Sequence, residues 1–150
     1  MSDDTPLPSL AVLLVDDEAP ARERLRDLLG DLGDQQPTRI VGMASNGVEA
    51  LAMLEASPVD LVITDIRMPV MDGVELARHL ARLAQPPAVI FSTAYDEYAV
   101  RAFELAAVDY LLKPVRAARL ADALAKARRL RPQADEVLRR MAPAARSHFS

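Results

Sequence analysis

The chain has 150 residues, 51% of them hydrophobic and 27% charged, which suits one domain with enough core to fold alone. It contains no cysteine and only two histidines, which excludes disulfides, thiolate nucleophiles, thiolate metal sites and histidine-rich metal centres. Its net charge of -4 is unevenly distributed: residues 1–115 carry nine basic and nineteen acidic side chains and residues 116–150 nine and three, so a cation-gathering body precedes a basic end that reads as a solvated helix face and linker.

Along the chain, apolar runs alternate with segments of helical period, the sequence form of a parallel sheet wound with helices. Residues 1–9 form an N-terminal extension, and Leu10 to Val15 reads as the first strand. The first helix follows from the stripe of Ala21, Leu25, Leu28, Leu29 and Leu32, with Pro20 suited to its first turn. After a second strand, Thr38 to Ala44, Asn46 caps a helix over Gly47 to Glu55. Leu61 to Asp65 is the third strand, and Asp72 caps a helix from Gly73 to Leu83. A fourth strand, Ala88 to Ser92, leads into a short helix from Tyr98 to Leu105; a fifth, Asp109 to Leu112, leads into a helix from Val115 to Leu130. The runs VLLV, LVI and VIF are apolar on both faces, as buried parallel strands are. The fold class is therefore α/β, a (βα)5 doubly wound parallel sheet with right-handed crossovers. Near Pro132 the apolar stripe is lost and a linker over 132–150 is expected.

No apolar stretch approaches the roughly 20 residues of a membrane span, and the opening MSDDTPLPS is acidic, unlike a signal peptide, so a cytoplasmic location is expected.

In sheets of this kind ligands sit at the carboxyl ends of the strands, which places Asp16, Asp17, Asp65, Thr93 and Lys113 on one rim. Clustered carboxylates raise one another's pKa unless a cation sits among them, and a hard divalent ion with oxygen ligands, Mg²⁺, is the natural companion. Taken singly, each residue has a duller reading. Paired aspartates cap helices, Lys113-Pro114 can be a turn, and Thr93 can satisfy a loop. Jointly they fall at the ends of four strands, and the cluster reads as a site.

The motifs VDDE at 15–18, DIRMPVMDG at 65–73, STA at 92–94 and YLLKP at 110–114 together resemble the receiver domain of two-component response regulators, over residues 10–131. That resemblance implies a flavodoxin-like receiver fold with strand order 2-1-3-4-5. It implies that Asp65 accepts a phosphoryl group from a sensor histidine kinase, and that Asp16, Asp17, Asp65 and the backbone carbonyl of Arg67 hold Mg²⁺. Thr93 and Tyr110 would be the switch pair, and Lys113 would contact the phosphoryl group beside a cis bond to Pro114. Arg67 and Tyr95 would flank the site and tune the lifetime of the acyl phosphate. The activity implied is self-catalysed phosphotransfer and dephosphorylation, not turnover of an independent substrate. The chemistry agrees: a carboxylate attacking a phosphoryl group joins two anions, so Mg²⁺ and Lys113 must neutralise charge on the transferring oxygens.

Such receivers commonly form homodimers through the face of the fourth helix, fifth strand and fifth helix. The stretches DDEAPARERLRDLL and FSTAYDEYAVRAFELAAVDYLLKPV are similar to regulators, those of alginate biosynthesis among them, whose receiver precedes a LytTR-type DNA-binding domain. ARSHFS resembles the start of that domain, so DNA would be bound only by a domain beyond this chain. The principal alternative is a stand-alone receiver that signals through a protein partner. A haloacid-dehalogenase-type phosphatase would need an acid where Arg67 stands, and a flavodoxin-like cofactor domain would need glycines where DDEAP stands.

Overall fold

The computed structural model describes residues 7–96, 102 and 104–130. Five strands, β1 (Leu10–Val15), β2 (Thr38–Ala44), β3 (Leu61–Thr64), β4 (Ala88–Thr93) and β5 (Asp109–Leu112), pair in parallel in the order β2-β1-β3-β4-β5. Helices α1 (Ala19–Asp31), α2 (Gly47–Ala56) and α3 (Gly73–Ala81), with a helical segment over 117–130, pack on the sheet. The expected fourth helix, Tyr98 to Leu105, falls largely outside the described residues; within it Ala102 and Glu104 are helical. The expected linker over 132–150 lies outside them altogether.

The central strands are apolar throughout because both faces are covered: every residue of β1 and β3 is buried, whereas edge strand β2 is mostly half-exposed. Alternation divides the core in two. Val12, Leu14, Ile63 and Ile90 pack with Leu25 and Leu29 of α1 and Leu120 and Leu124 of the 117–130 helix. Leu13, Val15, Val62 and Phe91 pack with Ala50 of α2 and Leu76 and Leu80 of α3.

Element ends differ from expectation by one or two residues, for local reasons. α1 begins at Ala19, ahead of its apolar stripe, with Pro20 in the first turn and Glu18 at a cap position that makes no side-chain bond. α2 starts where Asn46 accepts from the Glu49 N–H at 2.9 Å while the Glu49 carboxylate turns back to the Ser45 N–H at 2.8 Å. α3 ends at Ala81, short of Leu83. The last helix begins at 117 and not at Val115: the Leu120 N–H bonds Arg116 O at 3.0 Å, and Lys113 and cis Pro114 hold the chain in a bend before it.

Strand register positions the rim. Val15 of β1 pairs with Thr64 of β3, so Asp16 and Asp65 leave the sheet side by side. Thr64 pairs with Phe91, and β4 runs on to Thr93, which pairs with Leu112 of β5. Lys113 therefore stands farther along the strand direction than Asp65, and only a long side chain bridges the stagger. The loop after β3 is held close by Gly73, whose N–H donates to Ile66 O at 2.7 Å; a Cβ there would lie 2.1 Å from Asp65 O. At the opposite rim the buried Arg128 guanidinium donates from Nε to Gln36 Oε1 at 2.9 Å and from Nη2 to Pro37 O at 3.0 Å, and from Nη1 to Pro8 O. No helix among the described residues is long and apolar enough to cross a membrane.

Candidate functional site

Three strand ends, those of β1, β3 and β5, converge on one charged cluster. Lys113 Nζ donates to Asp16 Oδ2 at 2.7 Å and to Asp65 Oδ2 at 3.0 Å, joining side chains 97 and 48 residues away in sequence. The second oxygen of each carboxylate takes a backbone donor: Asp16 Oδ1 accepts from the Glu18 N–H at 3.0 Å and Asp65 Oδ1 from the Ile66 N–H at 2.7 Å. Asp16 is 1% exposed and Asp65 7% exposed. Burial, added to by the neighbouring Asp65, pushes the Asp16 carboxyl above its ordinary pKa despite Lys113 and the Glu18 N–H. Burial also works against the Lys113 ammonium, but the bonds and charges of Asp16 and Asp65 outweigh it and hold its pKa above the ordinary value.

The carboxylates of Asp16, Asp17 and Glu18 can each place an oxygen within 4.8 Å of the others, with Asp17 and Glu18 exposed beside the buried Asp16. This all-oxygen donor set suits a hard divalent cation. Glu18 is a candidate donor that the sequence reading passed over, although its place as a third successive acid in VDDE was the available signal. Arg22, one of the arginines that alternate with acids along α1, also reaches the site: its Nη1 donates to Asp16 O at 2.6 Å.

Thr93, Tyr110 and Arg67 meet at a single residue, Tyr95. Thr93 is fully buried and its Oγ1 accepts from the Tyr95 N–H at 3.4 Å; Tyr110 is half-exposed and its hydroxyl donates to Tyr95 O. The Arg67 guanidinium carbon lies 3.9 Å from the centroid of the Tyr95 ring, a cation–π stack at the mouth of the site. Tyr110 is braced from behind: the Asp109 carboxylate accepts from the Tyr110 N–H at 2.8 Å and from both Nη atoms of Arg119 at 2.7 and 2.8 Å.

A family model for the response regulator receiver domain matches residues 12–125. The chain belongs to this receiver family. The receiver is 51% identical over 118 residues to the positive alginate biosynthesis regulatory protein of Pseudomonas aeruginosa, covering 79% of this chain and 47% of that protein. It is 43% identical over 126 residues to the transcriptional regulatory protein BtsR of Escherichia coli, covering 84% and 51%. The chain thus spans about half the length of the curated relatives it matches. Among solved structures, the receiver superposes on the response regulatory domain of mrkE from Klebsiella pneumoniae with a TM-score of 0.74 at 36% identity, covering 83% of this chain and 99% of that one. The receiver domain of AraT from Geobacillus stearothermophilus gives 0.74 at 33%, covering 85% and 99%.

Proposed function

We propose that the receiver accepts a phosphoryl group on Asp65 from a sensor histidine kinase and converts the event into a change of surface. The observation that carries this reading is the single ammonium of Lys113 held between Asp16 and Asp65. Asp65 Oδ2 attacks phosphorus, the bond from phosphorus to the donor breaks, and an acyl phosphate remains on the strand end. Lys113, already in contact with that oxygen, follows the negative charge onto the phosphoryl group. Asp16, Asp17, Asp65 and the Arg67 carbonyl would hold Mg²⁺, with Glu18 a further donor at the cluster; bound there, the ion would neutralise charge on the transferring oxygens.

The same geometry gives the switch a route. A new anion on Asp65 offers acceptor oxygens to the Thr93 hydroxyl, which now holds the Tyr95 N–H. Drawing Thr93 away loosens the Tyr95 backbone and with it the bond that keeps Tyr110 turned outwards. Tyr110 then moves inwards, and the face built on β5 and the 117–130 helix changes shape. We expect that face to pair two copies, and the output to be transcriptional through a LytTR-type domain beyond this chain. The 43% identity to a transcriptional regulatory protein, beside the 51% identity to a positive regulatory protein of alginate biosynthesis, supports that output.

The deciding experiment is intact-mass spectrometry after incubation with acetyl phosphate. A gain of about 80 Da, one PO₃H unit, is expected only with Mg²⁺ and is absent in Asp65→Asn. Full phosphate uptake by Asp65→Asn would sink the assignment. For the surface change, sedimentation with and without beryllofluoride should give a larger mass in its presence; identical masses would remove the dimer from this reading.

A further inference from the structure

The turn that brings Lys113 into the charged cluster is only partly packed. Pro114 is exposed and Lys113 half-exposed, and a groove of about 370 Å³ lies between them and Ala21 and Leu25 of α1. Two backbone bonds tie the turn down. The Lys113 N–H donates to Thr93 O at 2.8 Å, just past the last pair of β4 with β5, Thr93 with Leu112. On the far side of Pro114, Val115 O accepts from Arg24 Nη2 of α1 at 2.6 Å, across the groove. That carbonyl stands ahead of the 117–130 helix, which draws on Arg116 O, one residue later, through the Leu120 N–H.

The second tie bears on the site because Lys113 must bridge a stagger. Its ammonium meets Asp16 Oδ2 at 2.7 Å and Asp65 Oδ2 at 3.0 Å, so a displaced turn would loosen both bonds at once. The other side of the cluster is held from the same helix, by Arg22 Nη1 on Asp16 O at 2.6 Å. Side chains two residues apart on a helix do not face each other, which lets α1 reach both the strand end that gives Asp16 and the turn that gives Lys113.

We propose that Arg24 is a positioning residue for phosphoryl transfer: its bond to Val115 O holds the turn so that the Lys113 ammonium stays between Asp16 and Asp65. A charged donor on a neutral carbonyl makes a stronger bond than a neutral pair, which suits it to span a groove that packing leaves open. The effect on labelling rests on the reading of Asp65 as phosphoacceptor, whereas the placement of Lys113 does not.

The test compares the whole chain with Arg24→Met, which keeps an apolar stem beside the groove and removes the donor. Nuclear Overhauser contacts from the Lys113 ε-protons to the β-protons of Asp16 and Asp65 are recorded without Mg²⁺ or phosphodonor. They should lose about half their intensity or more in the variant, while the contact of the Asp65 β-protons with the Ile66 amide proton keeps its own, since a misplaced group is felt at the distance of about 1 Å. With Mg²⁺ and acetyl phosphate both saturating, the rate of labelling should fall about tenfold, and the Mg²⁺ concentration for half-saturation should not move. An arginine with a merely structural role would lower the urea midpoint and leave both readings as they are in the parent. If Arg24→Met does not fold, Arg24→Gln, whose shorter amide cannot span the gap, decides. Unchanged Lys113 contacts overturn the proposal, as does a labelling rate equal to the parent's once those contacts are lost. If the parent itself takes up no phosphate, the reading of Asp65 fails, and the Lys113 contacts still decide whether Arg24 places the ammonium.

Discussion

At Val70 the backbone carries φ 69° inside a tight turn closed by the Met71 N–H on Pro69 O at 2.7 Å, a region that a β-branched residue enters only under strain. The side chain is 78% exposed, so packing does not offset the cost. Val70→Gly should therefore raise stability by about 1 kcal/mol, the left-handed penalty less the added freedom of glycine when unfolded, read as a higher urea midpoint. Asp109 supplies a pH-dependent counterpart. Burial alone would raise its carboxyl, but Arg119, the Tyr110 N–H and Lys126 outweigh burial and bring it from 3.8 to about 2. A folded pKa below the unfolded one stabilises above pH 3.8, and that stability is lost as the pH falls towards 2. Asp109→Asn should thus destabilise at pH 7 and differ progressively less from the parent as denaturation is repeated down to pH 2. None of this was legible in DYLL, because the partners of Asp109 lie a helix away. Asp16, Asp65 and Lys113 were legible because each ends an apolar run, and parallel strands bring such ends together.

At the scale of elements, apolar runs marked every strand, and the helical period marked three helices, within two residues of where they lie. What they could not mark is how tightly loops close. The turn from β3 into α3 depends on the missing side chain of Gly73, since a Cβ would meet Asp65 O at 2.1 Å and Ile66 Cα at 2.9 Å. Gly73→Ala should cost more than about 2 kcal/mol and displace Asp65, so that stability and acetyl-phosphate labelling fall together. The loops after β3 and β4 meet where Arg67 stacks on Tyr95. Arg67→Ala opens that approach to water and should shorten the acyl-phosphate half-life severalfold in a phosphate-release assay, leaving Mg²⁺-dependent uptake in place.

Across the described residues, the charged cluster occupies one rim of the sheet and the buried Arg128 fastens the other. Arg128 ties the 117–130 helix to Pro8 before β1 and to Gln36 and Pro37 before β2. Burial lowers its pKa from the ordinary guanidinium value, yet three acceptors keep the charge satisfied. Arg128→Ala should cost about 2–4 kcal/mol in chemical denaturation and leave phosphoryl uptake by the remaining folded protein unchanged. This fastening was illegible in a basic stretch that reads as a solvated face, since its acceptors, two backbone oxygens and the Gln36 amide oxygen, lie about 90 to 120 residues away. At the other rim, Thr93 and Tyr110 are joined through the amide and carbonyl of Tyr95, groups that nearly every amino acid possesses. Proline alone lacks the amide, so the linkage tolerates inheritance of almost any residue at 95, while the stack on Arg67 requires an aromatic ring. On the proposed phosphoryl switch, descendants of this chain would reset the persistence of the signal by one substitution and still transmit it.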